Sequence, residues 1–212
     1  MDFRNICTFG PKKSNGRKMT VVKEEIRDQI IDSASEIFSR FGFRKTTMDE
    51  IARAMRKGKS SIYYYFTSKE DIFKAVVEKE AQTLREEVTR AVESSDVPTE
   101  KLRNYILARM KVIKNVSNFY DTLKNEYLNH LDFVNKVREK YDKQEIRILT
   151  GILEEGQKNG VFRTDDPELA AIAIVTALKG LEIPLFWSKA NKNIEKRVDD
   201  LLNILLYGLL RK

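Results

Sequence analysis

Apolar residues recur along this chain at spacings of three and four, the period of a helix with one buried face, and strand-type alternation is scarce. From Glu24 the stripe Ile26, Ile30, Ile31, Ala34, Ile37, Phe38 and Phe41 marks a first helix, ended at Gly42. Thr46 or Thr47 can cap a second, short helix through Ala54, with Asp49 and Glu50 in its first turn. After a break at Gly58 a third short helix covers about Lys59 to Phe66. Ser68 then offers the N-cap of a long helix reaching about Glu93, where SSDVP breaks it. Further helices are predicted at about 99 to 115, 117 to 129 and 131 to 158, the last closed by Asn159-Gly160. Asp166 as cap and Pro167 at the first helical position open another, to about Lys189, and a final helix runs from about Asn193 to Leu210. The pattern predicts an all-α fold of about nine helices. Residues 1–22 lack periodicity, contain GPKKSNGRK and read as a disordered basic arm, with Met19 as an alternative start.

Residues 46–73, TTMDEIARAMRKGKSSIYYYFTSKEDIF, set helix, short break, helix and a third helix in the order of a helix-turn-helix. Such a unit needs an apolar triangle to fix the angle between its short helices. Ile51, Ala52 and Met55 can supply it against Ile62 and Phe66. With those side chains inward, Lys59, Ser60, Tyr63 and Tyr64 turn outward. A cation, a small hydroxyl and aromatic hydroxyls on one face suit phosphates and base edges in a major groove.

Charge adds weight once it is located. The formal net charge is +7, and residues 1–69 carry all of it: 15 Lys and Arg against 8 Asp and Glu, compared with 24 against 24 in residues 70–212. A basic segment joined to a neutral body is the footprint of a nucleic-acid-binding module attached to something with another task. Charge alone equally fits a solvated basic tail, since Arg4, Lys12, Lys13, Arg17, Lys18 and Lys23 hold six of the cations. The expected organisation is a disordered arm over 1–22, a helix-turn-helix domain over 23–70 and a second helical domain over 71–212, divided inside the long helix.

The TTMDEIARAM segment, the IYYYF run and the SKED that follows resemble the DNA-binding domain of the tetracycline-repressor (TetR) family over about residues 24–73. An Ile-Ala pair, a Tyr-x-Tyr-Phe run and a Lys three residues later recur there in this order. The remaining residues are similar to the family in length and helical layout. The resemblance implies that Lys59, Ser60, Ser61 and Tyr63 face the major groove, that Tyr64, Tyr65 and Lys69 grip phosphates, and that Thr47 donates to a phosphate from the cap of the second helix. The chain departs from the family at the turn, usually Gly then an apolar residue and here Arg56-Lys57, which predicts a more open and more basic turn.

The body shows no catalytic constellation over residues 74–212. One histidine, His130, and one cysteine, Cys7, build neither a triad, a Cys-His pair nor a metal cluster, and no glycine-rich phosphate loop occurs. No enzyme activity, metal or cofactor is therefore expected. The family resemblance implies instead a small-molecule effector pocket among the fifth to eighth helices, and its aromatic candidates are Tyr105, Phe119, Tyr120, Tyr127 and Trp187, with Met110, Phe133 and Phe186 beside them. It also implies a homodimer through the two last and most apolar helices, in which Ala170, Ala171, Ala173 and Ala177 permit close approach. A dimer of this kind reads a palindromic operator on double-stranded DNA, and the expected role is a repressor released by its effector. The lone cysteine and the lack of an apolar leader predict a cytoplasmic protein. The uncharged run Leu169 to Leu178 is half of the roughly 20 residues a membrane span needs.

Overall fold

A computed structural model describes residues 15–112, 116, 118, 132–181 and 194–207. They form eight helices and, among the described residues, no strand: α1 (Asn15–Phe41), α2 (Met48–Ala54), α3 (Lys59–Tyr63), α4 (Lys69–Glu93), α5 (Pro98–Val112), α6 (Asp132–Lys158), α7 (Pro167–Leu181) and α8 (Ile194–Tyr207). The chain divides into two compact units, Met1–Phe73 and Lys74–Lys212, with the division inside α4. The helix expected at 117–129 lies outside the described residues.

In the first unit α1 starts at Asn15, nine residues before the predicted Glu24, so residues 15–22 are helical rather than part of an arm without structure. Val21 and Val22 are exposed. Exposed, these two valines extend no buried stripe, and a helix propagating without one leaves no period in the sequence. The buried positions of α1 are Ile30, Ile31, Ala34 and Phe38, while Phe41, predicted to join them, is exposed. Gly42, at φ +82°, turns the chain back as its N–H donates to Phe38 O at 2.8 Å. Phe43 then takes the inward place, with its ring centroid 5.8 Å from Phe38 and 4.6 Å from Phe73; Phe38 meets Phe73 edge-on at 5.1 Å. Ile51, Ala52, Ile62 and Phe66 close the core as the apolar triangle required, with Met48 added and Met55 only half-buried.

In the second unit α6 packs against α5 and α7, and α5 also meets α8. Each helix presents an apolar stripe: Leu102, Tyr105 and Ile106 from α5, Leu149, Ile152 and Leu153 from α6, Ala171, Val175 and Leu178 from α7, Val198 and Leu202 from α8. Ion pairs tie the helices at their margins, Lys101 to Glu155 at 2.6 Å, Arg103 to Asp199 at 2.7 Å and Lys179 to Asp142. The Arg103 guanidinium bonded to Asp199 holds that carboxyl below the usual range. Gly160, at φ +68°, ends α6 as its sequence position predicts, and Asp166 Oδ1 accepts from Leu169 N–H at 2.9 Å to cap α7.

Candidate nucleic-acid interface

The candidate interface comprises the start of α2, the whole of α3 and the flank of α1. Thr47 is the N-cap of α2 in a reciprocal capping box. Its Oγ1 accepts from Glu50 N–H at 3.3 Å, its own N–H donates to Glu50 Oε2 at 2.7 Å, and its hydroxyl donates to the same oxygen at 2.9 Å. The loop before it is held as well, since Thr46 is buried and its hydroxyl donates to Gly42 O at 3.0 Å.

Between α2 and α3 the turn is closed, not open as its composition predicts. Arg56 takes φ +52°, the only positive value at a non-glycine position among the described residues. The Arg56 N–H donates to Arg53 O and the Lys57 N–H reaches back five residues to Ala52 O, both at 3.0 Å. These bonds impose the left-handed conformation that glycine adopts without strain, and arginine adopts it here regardless.

Ile62 is the one buried residue of α3. Lys59, Ser60, Ser61, Tyr63 and Tyr64 are all exposed, as the motif predicts, and Tyr65 is half-buried beneath Tyr64, whose ring it meets edge-on at 5.0 Å. Lys59 is not a free cation: its Nζ donates to Asp49 Oδ2 at 2.9 Å and lies 6.0 Å from the Tyr63 ring centroid. The Asp49 carboxylate raises the Lys59 pKa above its ordinary value. Lys69 is half-buried. Its ammonium donates to Phe43 O at 2.9 Å and stands 4.4 Å from the Phe43 ring centroid, which leaves two of its three N–H bonds for another partner.

Two residues of this surface were not singled out by the motif. Lys23 of α1 sits 4.8 Å from the centroid of Tyr64, whose hydroxyl raises the lysine pKa. Asp49 enters through its bond to Lys59. Lys23 stands just before the first periodic helix predicted from Glu24, so only its charge marked it.

The sequence-predicted effector residues fare differently. Phe119, Tyr120, Tyr127, Phe186 and Trp187 lie outside the described residues. Tyr105 and Met110 are fully buried and Phe133 is half-buried. The Tyr105 hydroxyl donates to Glu145 Oε1 at 2.6 Å, and Arg109 Nε donates to the same oxygen while its second bond reaches Oε2 at 3.3 Å. Burial pushes the Tyr105 hydroxyl well above its usual pKa. This buried cluster has a sequence signal. Arg109 follows Leu102, Tyr105 and Ile106 at helical spacing, and Glu145 falls between Tyr141 and Leu149, so two opposite charges occupy core positions of two apolar stripes. A groove of about 400 Å³ runs between α4 and α6 beside it, lined by Gln82, Val137, Tyr141 and Gln144 among others. No cluster of candidate metal ligands and no helix long and apolar enough to cross a membrane occurs among the described residues.

Residues 30–76 match the family model for bacterial regulatory proteins of the tetR family, and residues 98–202 match the tetracyclin repressor-like C-terminal domain. The HTH-type transcriptional regulator QacR of Staphylococcus aureus is 24% identical over 190 residues, covering 87% of this chain and 98% of QacR. The HTH-type regulator YhgD of Bacillus subtilis is 24% identical over 167 residues, covering 79% and 86%. Among solved structures, the regulator FadR of Bacillus subtilis in complex with stearoyl-CoA superposes with a TM-score of 0.67 at 22% identity, covering 86% of this chain and 98% of that one. Both units thus carry a match of their own, one on the helix-turn-helix and one on the helical body. The chain belongs to the TetR family of bacterial DNA-binding transcriptional regulators.

Proposed function

We propose that this protein is a cytoplasmic repressor that binds a palindromic operator as a homodimer and leaves it when a small molecule enters the helical body. The observation that carries the reading is the face of α3: Ile62 alone turns inward, and Lys59, Ser60, Ser61, Tyr63 and Tyr64 stand in solvent, within the third of the sequence that holds the chain's whole excess of positive charge. In this reading Lys59, Ser60, Ser61 and Tyr63 read base edges. Tyr64, Tyr65 and Lys69 hold phosphates and fix the register of the helix in the groove, and Thr47 joins them by exchanging its hydroxyl bond to Glu50 for one to a phosphate. The protein acts by binding and not by turnover.

Two observations support the rest. Leu169, Ile172 and Ile204 leave large apolar side chains exposed on α7 and α8, and Ala173 and Ala177 lie among the exposed residues of α7, which favours a second copy as cover. Ala171, expected on that face, is fully buried within its own chain and takes no part. The groove between α4 and α6 is of the size that encloses small molecules. An effector held there works through α4, which continues unbroken into the unit that carries α3. Differential affinity of about 1 to 3 kcal/mol for the two states is the usual scale of such coupling.

Selection from random duplexes tests the reading. It should enrich an inverted repeat whose half-sites are about one helical turn apart. Tyr63→Ala should weaken that duplex by about tenfold while changing random duplex little. Long-chain acyl-CoA is the first effector to try, because FadR binds stearoyl-CoA, and it should release the selected duplex. Enrichment of no sequence, or an unchanged affinity in Tyr63→Ala, removes the assignment of α3.

A further inference from the structure

The ion pair between α2 and α3 has a consequence for how DNA is discriminated. Lys59 is the first residue of α3, and Gly58 before it provides no side-chain cap. Among the described residues, the carboxylate bonded to its ammonium is Asp49, in the first turn of α2, at 2.9 Å, with both side chains about half exposed at 51 and 56%. Tyr63, one turn on, flanks the same ammonium. The cation is therefore held between an acid and an aromatic ring on the face that meets DNA, and its charge is matched by a carboxylate at contact distance.

Non-specific DNA binding is driven by cations that replace the counterions of phosphates. A lysine already neutralised by a neighbouring carboxylate adds little to that term, and the carboxylate itself repels a phosphate brought close. An ammonium has three N–H donors, however, and Asp49 occupies one. The other two can reach neutral acceptors such as the O6 and N7 atoms of guanine. We propose that Asp49 is a specificity-determining residue, which cancels the charge of Lys59 toward phosphates and leaves it able to read base edges. The inference rests on α3 facing DNA as set out above.

Asp49→Asn keeps the size and the polarity of the side chain and removes the charge. On random duplex this variant should bind about three- to tenfold tighter than the parent, and log K should fall more steeply with log salt, by about 0.9 for one added phosphate contact. On the selected duplex the gain should be smaller, so the ratio of specific to non-specific affinity falls. Asp49→Glu should restore the parental ratio. A general loss of negative charge near DNA would act whether or not Lys59 is present, so the same substitution is made in Lys59→Ala. There the gain on random duplex should shrink to under about twofold. An unchanged salt slope in Asp49→Asn, or an equal gain with and without Lys59, overturns the proposal. Thermal melting of each variant registers any purely structural effect. If Lys59→Ala and Tyr63→Ala both leave the selected duplex bound as before, the assignment of α3 fails with it; if they weaken it and Asp49→Asn changes nothing, only this inference falls.

Discussion

Arg56 occupies a backbone conformation that costs an L-residue about 1–2 kcal/mol, and it does so in the turn that sets the angle between α2 and α3. The bonds from Arg56 and Lys57 N–H to Arg53 O and Ala52 O demand the conformation. Arg56→Gly should therefore raise stability by about 0.5–1 kcal/mol, seen as a higher denaturation midpoint. Arg56→Asn, which also tolerates this region and also removes the charge, should gain part of that. A fall in midpoint for both would show that the guanidinium contributes more than the strain. The composition of the turn, Arg-Lys in place of Gly and an apolar residue, predicts a looser connection. Composition records which residue prefers a conformation, while the hydrogen bonds of the neighbours decide which conformation is imposed.

At the level of elements, α6 carries two glycines with opposite expectations. A Cβ on Gly151 meets nothing within 4 Å, so Gly151→Ala should gain the helix preference of alanine, about 0.8–1 kcal/mol. A Cβ on Gly156 would lie 2.1 Å from the Phe162 ring, which folds back over the helix as Val161 and Phe162 N–H both bond to Gly156 O. Gly156→Ala should lose about 1–2 kcal/mol even after the same propensity gain. Urea denaturation of the two variants checks the contrast, and equal effects would remove the role given to Phe162. Sequence pattern located α6, its closing Asn159-Gly160 and the Asp166 cap of α7, because caps and periods are local. It missed the first nine residues of α1, of which Val21 to Lys23 are exposed, and placed Phe41 inward where the structure has Phe43, because the reversal at Gly42 moves the inward position beyond the end of the helical period. The outward face of α3 was legible from spacing alone. The partners of Lys59 and Lys69 were not, since Asp49 and Phe43 lie ten and 26 residues away in sequence.

For the molecule as a whole, association state is the quantity that decides the biology. Apolar Leu169, Ile172 and Ile204 in solvent are costly for a lone subunit, and two copies are needed to place two α3 helices about 34–36 Å apart on one face of the duplex. Sedimentation at micromolar concentration should give about twice the 24.7 kDa of one chain. Ile172→Glu should shift it toward one chain and weaken operator binding together with it. A monomer for the parent protein would exclude α7 and α8 as a subunit interface. The arrangement of charge acts on the same scale: with residues 70–212 balanced at 24 against 24, long-range attraction to DNA arises from residues 1–69.

The Lys69 clamp bears on how a signal could reach the DNA-facing helices. Lys69 is the first residue of α4, and its ammonium grips the carbonyl of Phe43, one residue after the glycine that ends α1. Three residues further on, Thr46 is fastened to Gly42 O, and the next residue is the cap of α2. The loop is thus pinned at two consecutive carbonyls, Gly42 and Phe43, one of them to the head of α4. A shift at that head pulls on the loop directly, and only the residues from Phe43 to Thr47 separate the pull from the start of α2. The loop works as a short tether with little slack, transmitting displacement where an unpinned loop would absorb it.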